Sequence, residues 1–252
     1  MVRPAAIPPA VNNDIYDTLG DRWYRADDDP VALLRAESRL RNPWVLGELH
    51  AAFAGRACDV LDIGCGGGFL SNALAKAGHR VVGMDMSDPA LEVAARYDTT
   101  GTVRYQNGDA TKLPFAAATF DAVCAMDLLE HVEAPRELVA EAARVLKPGG
   151  VLFFHTFDRN VLSWLIVIKG VELFVANTPK HMHVLRLFVR PKELMAWLSE
   201  EGLVTTALRG SRPIFDRELF RMLRTGRVSD RFAFRFTRST LMGYTGSARK
   251  QG

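Results

Sequence analysis

The sequence predicts an α/β fold: a Rossmann-like, mostly parallel seven-stranded sheet with helices on both faces. Three observations predict it. Short apolar, β-rich runs alternate with segments of helical period between Cys58 and Phe157. A glycine turn, Gly64-Cys65-Gly66-Gly67-Gly68, lies where the first strand should meet the first helix. The chain has 252 residues, 48% hydrophobic and 24% charged, enough for one sizeable core in a single domain, 1–252.

The elements follow in order. Met1–Ala10 is Pro/Ala-rich, is expected to be disordered, and lacks the continuous apolar run of a secretory signal. Residues 12–50 have a helical pattern, with Trp23, Tyr24, Leu33, Leu34, Leu40 and Trp44 apolar. Within the 1–50 segment they should cap the sheet or cover its ligand-binding edge. The core, 58–158, begins with the strand Cys58–Gly64 and a helix, Phe69–Gly78, stopped by glycine. A second strand, Arg80–Met86, precedes the helix Asp88–Tyr97, with Ser87 or Asp88 as N-cap and Pro89 in its first turn. Strand three is Thr102–Gln106 and strand four Phe120–Met126. The amphipathic helix Pro135–Lys147 closes at Pro148-Gly149-Gly150 before strand five, Val151–Thr156. A helical insertion is expected at 159–190. In 191–252, Val204–Arg209 and Phe236–Tyr244 are the candidates to complete the sheet.

Composition excludes several classes. Three cysteines without a CxxC pair argue against a disulfide scaffold or a structural zinc site, and suit a reducing cytoplasm. No run is apolar enough for long enough to span a bilayer. A net charge of +3 does not indicate a globally basic nucleic-acid binder, and no RNA-reading motif is visible. Basic charge is nevertheless concentrated: Arg209–Lys250 holds eleven Lys/Arg against Asp216, Glu218 and Asp230. Such a segment is either a solvated face or a contact for an anionic surface.

Ligands of open α/β sheets bind beyond the carboxyl ends of the strands. Gly64 and Gly66 let the backbone approach a ligand there. Asp85, which ends strand two, can accept both hydroxyls of a ribose. The GxGGG spacing departs from the GxGxxG of dinucleotide binders. Asp62, just before the first glycine, would repel a pyrophosphate but suits a cationic amino group. Amino acid, ribose and base without phosphate describe S-adenosyl-L-methionine. Asp109, in Asn107-Gly108-Asp109-Ala110, can accept from the adenine amino group. Met86 can pack on the adenine, and Met126 ends strand four under the sulfonium. Turn glycines and capping acids explain any one of these features, but not all of them in this order.

The Leu61–Gly68 turn, Asp85, the Gly108-Asp109-Ala110 turn and Lys147-Pro148-Gly149-Gly150 resemble class I S-adenosylmethionine-dependent methyltransferases over Cys58–Phe157. The flanks narrow the resemblance. Asn13–Asp17, Asp21–Tyr24, Arg41-Asn42-Pro43 and Met126–Val132 are similar to the ubiquinone-biosynthesis O-methyltransferases. So are Asp158-Arg159-Asn160, Ser163–Leu165, Thr178–His181 and Phe188–Pro191. The likeness runs to about Gly202 and weakens across Ser211–Phe236. Two positions depart from it. Val45 stands where these enzymes commonly carry an Arg near the methyl donor, so Arg39 or Arg41 substitutes or the contact is absent. Asp127 stands where Glu is usual.

The resemblance implies methyl transfer to a phenol or catechol hydroxyl, on a polyprenylated quinone precursor. Asp127, Glu130 and His131, at i, i+3 and i+4, would share one face of a helical turn. His131, with Glu130, can serve as general base for a hydroxyl whose reference pKa is ~10. Alternatively Asp127, Glu130 and His131 hold a divalent ion, Mg²⁺, Mn²⁺ or Zn²⁺, that acidifies the phenol. The bland reading makes the two acids first-turn helix residues facing the macrodipole.

Val161–Ile168 and Gly170–Val175 are apolar around Lys169, and can lie in a membrane interface with Trp164 and Lys169 at headgroup level. Arg217–Arg238 places an arginine every three or four residues among apolar ones, which suits anionic lipid if helical. A cytoplasmic enzyme, peripheral on the inner membrane face, is the expectation. A buried helix or a dimer contact is the alternative for the insertion, and the oligomeric state is left open. Three other functions stay open: a small-molecule methyltransferase of secondary metabolism, a non-catalytic lipid-binding subunit of a quinone-synthesis complex, and a nucleotide-dependent dehydrogenase.

Overall fold

A computed structural model describes residues 11–252. The expectation for Met1–Ala10 lies outside them. Three helices open the described chain, α1 (Ile15–Thr18), α2 (Arg22–Arg25) and α3 (Val31–Ala52). Then come β1 (Asp59–Ile63), α4 (Phe69–Lys76), β2 (Arg80–Asp85), α5 (Asp88–Tyr97), β3 (Arg104–Asn107), β4 (Phe120–Met126), α6 (Pro135–Val145) and β5 (Leu146–Phe157). The insertion is one helical run. It begins as α7 (Val161–Ser163), passes through a π-helical stretch, Trp164–Gly170, and ends as α8 (Val171–Phe174). The chain closes with α9 (Pro191–Glu200), β6 (Leu203–Pro213), α10 (Arg217–Thr225), β7 (Phe234–Thr237) and β8 (Gly243–Lys250).

The sheet runs β3-β2-β1-β4-β5-β8-β6-β7. Strands β3 to β5 pair in parallel, and β8, β6 and β7 add antiparallel. The mostly parallel fold is as expected, with eight strands among the described residues in place of seven. The expected strand Phe236–Tyr244 does not form. It divides between β7 and β8, around the turn that carries Ser239 and Leu241. Strand β8, Gly-Tyr-Thr-Gly-Ser-Ala-Arg-Lys, is small and polar in sequence, yet its first six residues are buried between β5 and β6. Strand β5 starts earlier than expected. Leu146 pairs with Phe120, the Lys147–Gly150 turn bulges out, and pairing resumes at Val151 and Ala122.

Local chemistry explains the parallel half. β1 and β4 are buried on both faces, so they read as mostly apolar without alternation, interrupted only by Asp59, Asp62 and Asp121. Ser87 caps α5 by accepting from the Ala90 amide at 3.2 Å. Pro135 opens α6 at a position whose missing N–H costs nothing. Strand order reverses between β1 and β4, and the carboxyl ends of those two strands carry the site.

Candidate active site

Two cavities meet at the carboxyl edge of the sheet. The first, about 640 Å³, opens over the glycine turn and is lined by Asp62, Gly64, Gly66, Asp85, Met86, Asp109 and Met126. All seven residues expected to hold the donor therefore face one cleft. The second, about 470 Å³, is lined almost wholly by apolar side chains from α3, the insertion, α10 and β7. Tyr16, Leu34, Asp127 and His131 line both, and form the wall between them.

The cleft's floor is built by close approach. Gly64 and Gly66 adopt φ of +67° and +49°, and a Cβ on Gly66 would lie 2.7 Å from the Trp23 ring. Asp85 accepts the amides of Gly66 at 2.8 Å and Ser87 at 2.9 Å, which fixes its carboxylate at the rim. Burial pushes its pKa up. Asp62 is buried and accepts from Ser71 Oγ at 2.6 Å. Burial first, and Asp85's charge after it, push the Asp62 carboxyl up to about 7. Asp109 is exposed, and one of its oxygens accepts from the amide and hydroxyl of Thr111. Met86 is 74% exposed at the cleft. Residues of the N-terminal helices reach the cleft: Trp23 lies on the glycine turn and Tyr24 donates to Gly67 O at 2.8 Å.

The Asp127, Glu130 and His131 expectation needs correction. Residues 129–131 form a single 3₁₀ turn and α6 begins only at Pro135, so the three do not share a helical face. Of the two acids only Glu130 lies in that turn, and Asp127 precedes it. Asp127 has φ +57°, a left-handed conformation open to Asp at a modest cost. Its carboxylate is engaged by Arg41, which donates to both oxygens, one bond measuring 2.8 Å. His155 Nδ1 lies 2.6 Å from Asp127 Oδ1. Burial works to raise the Asp127 carboxyl, but Arg41 and His155 outweigh it and hold it well below the usual carboxylate range.

Arg41 lines the cleft from one turn before Val45 on α3 and is 2% exposed, while Val45 is fully buried in an apolar cluster. Arg39 instead donates to Phe232 O at 2.8 Å.

Glu130 is fully buried. Its Oε2 accepts from Thr156 Oγ1 at 2.7 Å, and its Oε1 has no partner among the described residues. Burial, then Asp127's charge, pushes its pKa up. His131 Nδ1 lies 2.9 Å from Asn13 Oδ1, and Asn13 Nδ2 donates to His131 O at 3.5 Å. That pairing assigns the proton to Nδ1 and leaves the lone pair on Nε2. Burial pulls the His131 pKa down to about 4, so the ring is neutral at pH 7. Tyr16 and His183 flank it, with ring centroids 5.7 and 5.1 Å away.

Sequence reasoning missed His155 and His183. His155, with Thr156, interrupts the apolar run Val151–Phe157, a visible signal. His181, two positions before His183, carried the motif in sequence, but His181 is exposed and His183 faces the site.

Comparison with known proteins identifies the family. Residues 61–154 match a family model described as a methyltransferase domain. The chain is 35% identical over 191 residues to the ubiquinone biosynthesis O-methyltransferase of Erwinia tasmaniensis, covering 75% of this chain and 77% of that one. It is 38% identical over 200 residues to the enzyme of the same name from Thiobacillus denitrificans, covering 77% and 83%. The crystal structure of magnesium protoporphyrin IX methyltransferase from Synechocystis PCC 6803 with bound SAH superposes with a TM-score of 0.65 at 19% identity, covering 94% of this chain and 97% of that one, which shows the shared fold. A 35–38% match over three quarters of the chain leads to one conclusion: this chain belongs to the ubiquinone biosynthesis O-methyltransferases, S-adenosylmethionine-dependent enzymes built on the methyltransferase domain.

Proposed function

We propose that the chain methylates a phenol or catechol hydroxyl on a ring that carries a long apolar, polyprenyl-like tail. One observation carries the reading: the donor cleft and the apolar cavity share the wall formed by Tyr16, Leu34, Asp127 and His131. A ring seated at that wall has the donor on one side and room for its tail on the other.

The cleft fits the donor. Two buried donors that line it, Trp23 Nε1 and Arg41 Nε, have no partner among the described residues. A buried unsatisfied N–H costs about 1–3 kcal/mol, so both suit the donor's carboxylate. Asp62 is the counter-charge for its ammonium group, Asp85 binds the ribose, and Asp109 and Met86 bracket the base. Met126 closes the cleft beneath the sulfonium. When bound, the donor supplies an electrophilic methyl group.

The chain's own residues supply orientation and a proton acceptor. In-line alignment of hydroxyl and methyl contributes up to ~7–11 kcal/mol in well-organised cases. In the ion-free protein, neutral His131 takes the hydroxyl proton on Nε2; with its pKa at about 4 it is a weak base and contributes less than the usual ~10²–10⁴ in rate. Glu130 backs that face from the wall of the apolar cavity.

The tail leads toward an apolar surface. Val161, Leu165 and Leu173 are exposed on the insertion, with Phe220 on the neighbouring α10. This exposure disfavours the buried-helix alternative. On α10, Leu219 and Met222 are buried while Arg217, Arg221 and Arg224 face outward. No helix of the described residues is long and apolar enough to cross a membrane. The reading is peripheral docking on an anionic membrane through 161–175 and the arginines of α10. Beyond α10 the basic segment is not helical, and Arg235 instead alternates outward on β7.

Calorimetric titration with S-adenosylhomocysteine tests the donor site. Micromolar binding by the wild type, lost in Asp85→Ala, is expected. A folded wild type that binds no S-adenosylhomocysteine would favour the lipid-binding accessory role instead.

A further inference from the structure

We propose that Tyr16 is a further catalytic residue: its hydroxyl donates a hydrogen bond to the acceptor oxygen as that oxygen loses its proton and takes the methyl group. The proposal rests on reading the shared wall as the place where acceptor hydroxyl and donor methyl meet.

Short ties deliver Tyr16 to that wall. The Asn12 amide donates to His181 O at 2.9 Å, and Asn13 pairs with both the ring and the carbonyl of His131. The Tyr16 amide then donates to Asn13 O at 3.1 Å, which starts the single turn of α1. Two rings hold the side chain. It stacks on Trp23 at 5.7 Å and 24°, and meets His131 edge-on at 5.7 Å and 78°. Trp23 packs on the glycine turn. Tyr16 thus joins the floor of the donor cleft to the turn that carries His131.

The ring alone would build this wall, so the hydroxyl needs its own explanation. It makes no hydrogen bond among the described residues, although Tyr16 is half-buried and lines both cavities. Asp127 and Asp85 do not claim it: Arg41 engages the first, and the amides of Gly66 and Ser87 the second. Burial, then the charges of Glu130, Asp127 and Asp85, push the Tyr16 pKa up, so the group keeps its proton and serves as a donor. The same acids would oppose negative charge on an acceptor oxygen at this wall. A neutral donor aimed there offsets them.

The acceptor oxygen bonds to the methyl carbon as the carbon–sulfur bond breaks, the electron pair returning to sulfur. The acceptor's proton passes to His131 Nε2. Tyr16 keeps its own proton throughout, and its O–H dipole meets the charge that builds on the acceptor oxygen.

Tyr16→Phe keeps the ring and deletes the hydroxyl. No hydrogen bond of the fold is lost, so Tm should stay within about 2 °C of the wild type and S-adenosylhomocysteine affinity within about threefold. Methyl transfer from tritiated S-adenosylmethionine to a short-prenyl catechol should fall about tenfold or more in kcat, with the donor KM unchanged. An optical titration separates catalysis from structure. A prenylated nitrocatechol is titrated with base in the S-adenosylhomocysteine complex, where its visible phenolate band reports ionisation of the bound ring. The wild type should favour the ionised ring about tenfold over Tyr16→Phe. A structural role would not move that midpoint. Unchanged kcat overturns the proposal, and so does a slower variant with an unmoved midpoint. A tenfold loss of S-adenosylhomocysteine affinity with an unmoved midpoint would assign the hydroxyl to the donor instead. No turnover by the wild type would overturn the acceptor reading and the proposal with it, whereas full turnover by Tyr16→Phe overturns the proposal alone.

Discussion

Arg41→Met is the sharpest probe of how the site is held together. Arg41 is 2% exposed and the Asp127 side chain 15%, and the two form a forked pair between α3 and the end of β4. Methionine keeps much of the volume but removes the charge. Asp127 would then sit beside His155 and Glu37 with no guanidinium. Breaking a buried pair by removing one partner costs about 3–5 kcal/mol, because the remaining charge is uncompensated. For a domain of this size, 1 kcal/mol moves Tm by about 2–4 °C, so a fall of roughly 6–20 °C is expected. Thermal and urea unfolding at pH 7.5 measure it. Adding Asp127→Asn to Arg41→Met should restore stability beyond the sum of the single effects, with a coupling of about 2–3 kcal/mol. A single-variant loss below about 1 kcal/mol, or strict additivity, would show that Asp127 does not depend on Arg41. The correction of the expected ligand set would then fail.

The other predictions concern binding and pH. Trp23→Phe keeps the ring but deletes the orphaned N–H, so S-adenosylhomocysteine affinity should fall roughly 10-fold or more, from a charged hydrogen bond worth about 1.5–3 kcal/mol. Unchanged affinity in calorimetry would remove Trp23 from the donor's carboxylate. Gly66→Ala must clear the Trp23 ring from a backbone at φ +49°, and should abolish donor binding while the protein stays folded by circular dichroism. Asp62, at about 7 in the free protein, must be ionised to pair with an ammonium. Donor affinity should therefore rise with pH through about 7 and then level, with proton release visible in buffers of differing ionisation enthalpy. A flat profile would contradict the pairing. Burial lowers His131 to about 4 and His183 to about 3, below the 6.5 of an unfolded chain. The unfolded state therefore binds these protons first, so stability falls as pH drops from about 6.5 toward 4. His131→Gln with His183→Gln should flatten that slope in urea melts.

The parallel half of the sheet was legible because its central strands β1 and β4 are buried on both faces and the run is punctuated by glycines and caps. The donor cleft was legible for the same reason: each of its acids stands at the end of a strand, where chain position fixes spatial position. The antiparallel edge was hidden. β8 is small and polar, and its burial comes from β5 and β6, far away in sequence. The catalytic face was half legible. Helical spacing placed Glu130 and His131 near each other, but Asp127 takes a left-handed turn and pairs with Arg41 and His155 instead. Its partners Arg41 and His155 lie 86 and 28 positions away, so local spacing cannot report them. His183 enters only because the insertion folds back over β5.

The most direct test of the account is methyl transfer from tritiated S-adenosylmethionine to two catechols, one bearing a short prenyl tail and one bare. The shared wall between cleft and cavity predicts that the prenylated ring turns over with a kcat/KM at least about 100-fold higher, since each buried CH₂ contributes about 0.8 kcal/mol. His131→Ala should lower both rates. Equal turnover of the two rings would detach the apolar cavity from the acceptor and favour a small-molecule methyltransferase, and methylation of neither by a protein that binds S-adenosylhomocysteine would contradict the proposed acceptor.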